Sequence, residues 1–363
     1  MKNILFMAPK NGNGGILSWA KKYVAEYNHD KYKLIHLGVS KRRSTSIQSN
    51  IIKRLTDGIL DMIDAYCDVK AAIKNTDFSI FHTTTSGGMG TVRDYFIGRL
   101  CKSKGIKIIL HCHYGSITGD CSQNNISSWL LKKTFKLYDQ IWVLDKTSET
   151  FLKSDLSLNG KVYLTPNFID VNSDIELTEK QYDKVAFVGN LIPTKGLLEI
   201  VEAVARLKNN TKLFIAGPGS NDIVNKIKSI AGDKFGDTIR VLGCLPNSEA
   251  VELIKSIDIL ALPSYYKWEA FPISILEAMS YGKIVISTNR AAIPDMLTDV
   301  TGNKCGILVE EKSVEDIKKA ILWCQQNRKT ADLMCKKAYE KVCQCYKMNI
   351  VFDRYTYLYD QLS

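Results

Sequence analysis

Twelve short apolar runs, each followed by a stretch long enough for a helix or a turn, constrain this chain more than any single residue does. In the first half they lie at 3–8, 33–37, 78–82, 107–112, 140–144 and 161–164. The second half repeats the pattern at 184–188, 212–216, 239–242, 257–262, 284–287 and 306–309. Runs of this length read as strands, and their regular alternation with helix-length segments marks a mostly parallel sheet with helices on both faces. The expected fold class is therefore α/β, with two such sheets. A chain of 363 residues suits two domains better than one core. Thr165-Pro166-Asn167-Phe168-Ile169-Asp170 and the polar residues that follow, up to Tyr182, separate the halves and place the boundary near 166. No short-period repeat is present.

Several classes of protein do not fit. The start, Lys2-Asn3-Ile4-Leu5-Phe6-Met7-Ala8 before Pro9, reads as a first strand rather than a signal peptide. No apolar run approaches the roughly 18 residues needed to span a bilayer. The ten cysteines are scattered without a Cys-x-x-Cys, which fits a reducing cytoplasm. Charge is the uneven property. Residues 1–166 hold 24 Lys and Arg against 13 Asp and Glu, whereas residues 167–363 hold 25 of each, so the whole net charge of +11 belongs to the first half. Such a basic lobe suits nucleic acid or an anionic membrane surface.

Glu269 and Glu277 supply the first chemistry. They stand eight apart in Trp268-Glu269-Ala270-Phe271-Pro272-Ile273-Ser274-Ile275-Leu276-Glu277. With 14 Glu in the chain, such a pair arises readily by chance, so its surroundings decide. The run at 257–262 precedes it, Pro272 can open a helix, Gly282 can close one, and the run at 284–287 follows. Glu269 then lies in a loop at the carboxyl end of a strand, where open α/β sheets bind ligands, and Glu277 lies inside the next helix. A carboxylate can accept from both hydroxyls of a ribose, and the N–H groups of a first helical turn attract a diphosphate.

This stretch resembles the Glu-x7-Glu signature of the retaining GT-B glycosyltransferases, in particular family 4. Other matches fall in the family's order: Gly12 to Gly15, His113-Tyr114-Gly115-Ser116, and Pro166-Asn167 with Phe168 in the place of a glycine. Val188-Gly189-Asn190-Leu191 with Lys195-Gly196, Ile215-Ala216-Gly217-Pro218-Gly219, Leu242-Gly243-Cys244-Leu245 and Pro263-Ser264 continue the series. The likeness runs almost continuously through the second half and in patches through the first. It implies a GT-B fold: two Rossmann-like doubly wound domains facing across a cleft, with a C-terminal helix crossing back to the first. On that reading, residues 1–166 with about 346–363 bind the acceptor, and 167–345 bind a nucleotide-sugar donor.

The resemblance also assigns roles. Glu277 would take the ribose hydroxyls, Glu269 would face the transferred sugar, Lys195 would meet the diphosphate, and His113 would approach the reacting sugar. His113, Lys195 and Glu269 are thus the catalytic candidates. Donor contacts are implied at Gly14, Gly15, Asn190, Lys195 and Gly217, at Leu242, Gly243 and Leu245, and at Ala270, Phe271, Pro272, Ile273 and Glu277. Three departures from the family stand out. Asn190 replaces a frequent arginine, Ala270 replaces a common glycine, and Tyr265-Tyr266-Lys267-Trp268 lengthens the loop before Glu269.

Each residue also has a plainer reading. Lys195 precedes the helical pattern Leu197-Leu198-Glu199-Ile200-Val201, a place that an unpartnered cation avoids. Gly12, Gly14 and Gly15 permit close backbone approach, but many strand-to-helix turns need glycine for geometry alone, and the Gly-x-Gly-x-x-Gly dinucleotide pattern is missing. His111 and His113 point to one face of their strand, while Cys112 points to the other, so with Cys121 they form no common zinc pattern. His82, ending the run 78–82, reads either as an acceptor-side residue or as a capped core histidine, and more readily as the latter. No two aspartates are separated by one residue, so the Asp-x-Asp motif that holds a metal in the other large glycosyltransferase architecture is absent. No metal or other cofactor is expected.

The expected function is transfer of a sugar from a UDP- or GDP-sugar to a saccharide acceptor, with retention of configuration. The resemblance points to a polyprenyl-diphosphate-linked acceptor in O-antigen, lipopolysaccharide or capsule synthesis, on the cytoplasmic face of the membrane. A transferase to a soluble acceptor and a sugar-nucleotide epimerase are the rivals within the same architecture. A basic nucleic-acid-binding protein is the rival from another class, and no motif of that class is visible. The helix expected around Trp129-Leu130-Leu131-Lys132-Lys133-Thr134-Phe135-Lys136 reads equally as interfacial or as core-facing with solvated lysines.

Overall fold

The computed structural model describes residues 1–11, 14–39, 51–171 and 180–363. The chain divides into one unit formed by Met1–Asn167 with Val351–Ser363, and a second formed by Phe168–Ile350. The strands of unit 1 are β1 (Lys2–Ala8), β2 (Tyr32–Gly38), β3 (Ile80–Thr85), β4 (Lys107–Cys112), β5 (Gln140–Val143) and β6 (Val162–Leu164). Those of unit 2 are β7 (Lys184–Val188), β8 (Lys212–Ala216), β9 (Ile239–Gly243), β10 (Ile259–Leu262), β11 (Ile284–Thr288) and β12 (Ile307–Val309). All twelve apolar runs are strands, and every ladder between them is parallel.

The strand orders are β2-β1-β3-β4-β5-β6 and β12-β11-β10-β7-β8-β9. In each sheet the direction of winding reverses once, between β1 and β3 in unit 1 and between β7 and β10 in unit 2. Loops leaving the carboxyl ends of strands diverge at such a switch point and open a crevice there.

The third strand differs from its expected span. It runs on through Thr83, Thr84 and Thr85, which pair with Leu110, His111 and Cys112 of β4. Three threonines lie outside an apolar run, but β-branched side chains suit a strand interior, and here they are buried. His82 is therefore mid-strand. It is fully buried, and its Nδ1 lies 2.6 Å from the hydroxyl of Tyr359.

Tyr359 belongs to the helix Met348–Asp360, whose last turns complete the core of unit 1. The Tyr359 and Tyr23 hydroxyls are 2.7 Å apart, Gln140 Nε2 donates to Leu358 O at 2.9 Å, and the Tyr355 hydroxyl donates to Pro166 O at 3.2 Å. Trp142 packs against Tyr355 with 4.8 Å between ring centroids. His82, His111 and His113 line the same region. Burial favours the neutral imidazole, so the pKa values of His82 and His111 lie well below the usual value and that of His113 is pushed down to about 3.

Candidate active site

The loops at the carboxyl edge of the second sheet are tied to one another in the order of their strands. Gly217 N donates to Gly243 O at 2.7 Å, joining the loops after β8 and β9. Gly189 N donates to Ala216 O at 3.0 Å, and Leu191 N to Pro218 O at 2.8 Å, joining those after β7 and β8. Tyr265 N donates to Thr194 O at 2.8 Å across the switch point, and Ala292 N to Ala270 O at 3.0 Å beyond it. Two glycines make this rim possible. A Cβ on Gly217 would lie 1.9 Å from Gly189 O, and one on Gly196 would lie 2.3 Å from Pro263 O; both glycines also hold positive φ.

Lys195 and Glu269 meet at the switch point. Lys195 closes a single 3₁₀ turn, Pro193–Lys195, ahead of the helix Leu197–Arg206, while Glu269 lies in the loop between β10 and the helix Ile273–Ser280. Their Nζ and Oε2 atoms are 3.1 Å apart, with side chains only 17% and 8% exposed. Ser264 Oγ donates to the same Oε2 at 2.9 Å and accepts from Tyr266 N at 3.2 Å, so one hydroxyl fixes both the carboxylate and the loop. Thr288 Oγ1 in turn donates to Ser264 O. The lysine beside a helix start is thus balanced by a carboxylate rather than by solvent. An ammonium held this way, in a dry and pre-arranged site, can turn toward negative charge that develops on a leaving phosphate.

Glu277 lies on the helix Ile273–Ser280, one turn in from its start. Pro272 is the N-cap and makes no side-chain cap hydrogen bond, and the N–H groups of a first helical turn have no intrahelical partner and suit an anion. Ala270, Phe271 and Pro272 are buried beneath that start, and Ile273 is partly buried. Asn190, Gly217 and Leu245 fall on the loops after β7, β8 and β9, and Leu242 and Gly243 end β9, along the same rim. Leu242 is exposed there, and Gly243 takes a φ of 75° that a side chain resists.

In unit 1, Gly14 caps the helix Gly15–Glu26 with φ 136° and no side-chain hydrogen bond, directly after β1. Gly12 lies outside the described residues. His113 follows the end of β4, buried, with its ring 4.4 Å from that of Trp19 and 4.2 Å from that of His111. Among the described residues no group of three or more His, Cys, Asp or Glu is placed to hold a metal ion.

The role of Ser264 and the ring of Tyr266 beside Lys195 were not read from the sequence. A serine whose oxygen accepts from the N–H two residues on is a recognised turn device, and Ser264-Tyr265-Tyr266 carries that signal. Nothing in the sequence announces the Tyr266 ring, whose centroid is 6.0 Å from Lys195 Nζ.

The outer face of unit 1 carries a second feature. The helices Ile51–Asn75, Gly90–Ser103 and Ile126–Leu137 pack side by side. In the last of these Leu131 and Phe135 are core residues, while Ile126 and Trp129 are 83% and 58% exposed. The helix therefore has one buried face and one outward face. Lys133 Nζ lies 5.7 Å from the Trp129 ring centroid, and Lys136 is exposed beyond it. Phe96 and Ile63 are exposed on the neighbouring helices. Lys102 is instead paired with Asp139 at 2.6 Å. The basic run Lys41-Arg42-Arg43 and the side chain of Arg54 lie outside the described residues, while Lys53 is exposed. Among the described residues no helix is long and apolar enough to cross a membrane.

Comparison with known proteins connects these features to a class. Residues 169–341 match the family described as Glycosyl transferases group 1. The chain is 25% identical over 270 residues to an uncharacterized glycosyltransferase of Methanocaldococcus jannaschii, spanning 69% of this chain and 67% of that one. It is 27% identical over 180 residues to the N,N'-diacetylbacillosaminyl-diphospho-undecaprenol alpha-1,3-N-acetylgalactosaminyltransferase of Campylobacter jejuni, spanning 49% and 44%. Among solved structures it resembles sucrose-phosphate synthase from Thermosynechococcus elongatus, with a TM-score of 0.73, 16% identity, and 100% and 99% of the two chains covered. HepE of Anabaena in complex with UDP-glucose gives a TM-score of 0.70 at 14% identity, covering 99% and 100%. The fold is GT-B, as the sequence resemblance implied.

Proposed function

We propose that this chain is a retaining hexosyltransferase that moves a sugar from a UDP- or GDP-sugar to a saccharide acceptor. The observation that carries the proposal is the Lys195–Glu269 pair at the switch point of the second sheet. It stands beside an uncapped helix start, with Glu277 a turn further on. Diphosphate, sugar and ribose are three of the four parts of a nucleotide sugar, the base being the fourth, and the three groups are chemically matched to them. In the step proposed, the bond from the anomeric carbon to the leaving phosphate oxygen breaks and the acceptor oxygen bonds on the same face. The acceptor proton passes to the leaving phosphate. Lys195 answers the charge that grows on that phosphate, and Glu269 holds the lysine and faces the sugar.

A panel of UDP- and GDP-sugars tests this reading, first by thermal shift and then by turnover with EDTA present. Transfer should survive chelation, and NMR of the new linkage should show the donor's anomeric configuration kept. An inverted product or activity abolished by EDTA would contradict the mechanism. Consumption of donor without any acceptor would favour an epimerase.

The acceptor we infer is lipid-linked, a polyprenyl-diphosphate oligosaccharide of surface-polysaccharide synthesis, reached from the cytoplasmic face of the membrane. Three observations support it: the charge excess of the first half, the outward stripe Ile126, Trp129, Lys133 and Lys136, and the diphospho-undecaprenol named for the Campylobacter jejuni relative. Apolar side chains interleaved with cations suit an anionic interface. Three or four cations at about 1 kcal/mol each would give reversible docking. Flotation with liposomes should therefore depend on anionic lipid and fade at high salt, as the screening length falls from about 10 Å at 0.1 M to about 3 Å at 1 M. Binding indifferent to both variables, or none, would point to a soluble acceptor.

A further inference from the structure

The loop before Glu269 brings two aromatic rings together. Glu269 N donates to Tyr266 O at 3.0 Å, closing a turn over Tyr266-Lys267-Trp268-Glu269. Ser264 Oγ holds its near side by accepting from Tyr266 N. Tyr265 is the anchor: its N–H is bound to Thr194 O, its hydroxyl donates to Glu199 Oε1 at 3.2 Å, and Lys312 Nζ lies 5.0 Å from its ring centroid. Tyr266 and Trp268 are turned to each other instead, edge to face, with 5.4 Å between centroids and 68° between planes. Trp268 is 47% exposed, although the residue after it is among the buried polar groups.

We propose that the Tyr266–Trp268 pair is a binding platform for a pyranose ring next to the Lys195–Glu269 pair. The inference rests on the proposed donor site, to which it adds a sugar-binding surface. A pyranose has a face of C–H groups bounded by hydroxyls. An indole ring offers a flat apolar surface at low conformational cost and keeps a polar handle. Cations complete the match. Lys195 Nζ lies 6.0 Å from the Tyr266 centroid and Lys267 Nζ 5.7 Å from that of Trp268, so each ring has an ammonium near it that can donate to hydroxyls. An exposed tryptophan alone would mean little. This one is fixed through a turn to the residue whose carboxylate pairs with Lys195, and its loop is tied to the strand rim at Thr194 and at Thr288. The sugar is either the transferred one of the donor or the terminal one of the acceptor, and both present the same C–H face.

Trp268→Ala, Trp268→Phe and Tyr266→Ala separate these sources. Affinity for UDP or GDP alone should stay as in the unaltered protein. If the platform takes the donor sugar, Trp268→Ala weakens UDP- or GDP-sugar binding about tenfold, worth about 1.4 kcal/mol. If it takes the acceptor sugar, the acceptor KM rises by a similar factor while donor affinity holds. Trp268→Phe should recover most of either loss. Saturation-transfer NMR with methyl α-glucoside and methyl α-N-acetylglucosaminide gives a readout that needs no turnover: ring C–H signals are expected and should vanish in Trp268→Ala. Donor affinity, acceptor KM and saturation transfer all unchanged in Trp268→Ala and Tyr266→Ala would overturn the platform. So would loss of UDP or GDP binding in proportion, since the loop would then act only on the shape of the nucleotide site. Failure of the unaltered protein to bind UDP or GDP at all would refute the donor site instead, and saturation transfer would still decide the platform.

Discussion

Lys195→Ala should lower kcat about 10²- to 10³-fold, the loss typical of removing one pre-arranged donor to a developing oxyanion, worth about 2.7–4 kcal/mol. The partner charge grows in the transition state, so affinity for the ground-state donor should fall much less. The ion pair adds a control. Without the ammonium, the Glu269 carboxylate is left with the Ser264 hydroxyl as its hydrogen-bond partner among the described residues, in a mostly buried place. Stranding one member of a buried pair costs up to about 3–5 kcal/mol of stability. A lower Tm in Lys195→Ala, recovered in the double variant Lys195→Ala/Glu269→Gln without recovery of kcat, would separate catalysis from folding. A kcat within about threefold of the unaltered protein would remove Lys195 from the chemistry.

Glu277→Ala should act on the other parameter. Losing a charge-assisted interaction of about 1.5–3 kcal/mol with a ribose weakens nucleotide binding roughly 10- to 150-fold. The measurement is calorimetry with UDP and GDP, where no sugar is present to confuse the result. Turnover at saturating donor should change little, because a ribose contact made equally in ground and transition states affects binding alone. Unchanged nucleotide affinity would undo the donor-site assignment, including the place given to Lys195. The two variants thus test one site through different parameters, and exchange of their phenotypes would reverse the roles assigned.

The fold was legible because parallel strands covered on both faces announce themselves as unbroken apolar runs. Where the covering residues were polar, the reading stopped short. Thr83 to Thr85 continue β3 past the apolar run that marked it, and their polar side chains are what broke the run. The outward face of the helix Ile126–Leu137 could not be chosen from sequence, since both of its faces carry large apolar groups; only packing selects Leu131 and Phe135 for the core and leaves Trp129 outside. At the site, the residue types and the loops that bear them were legible, because the position of a loop at the end of a strand is already a statement about ligands. The Lys195–Glu269 contact was not. It joins residues 74 positions apart, and it depends on β7 and β10 being neighbours, a matter of strand order. The hydrogen bond between His82 and Tyr359 is more remote still, spanning 277 positions, and no local pattern records it.

That last contact has a consequence for how the protein is made. Unit 2 is one continuous segment, whereas unit 1 is interrupted by it and closed by Val351–Ser363. During synthesis the usual order, first domain first, therefore cannot hold to completion. At about 5–20 residues per second, the roughly 180 residues of unit 2 take about 10–40 s to emerge. Through that interval Tyr23, His82 and Trp142 wait for Tyr355 and Tyr359, which lie beyond the whole of unit 2. Until residues 351–363 emerge, the aromatic seam in which Tyr23, His82 and Trp142 meet Tyr355 and Tyr359 cannot close.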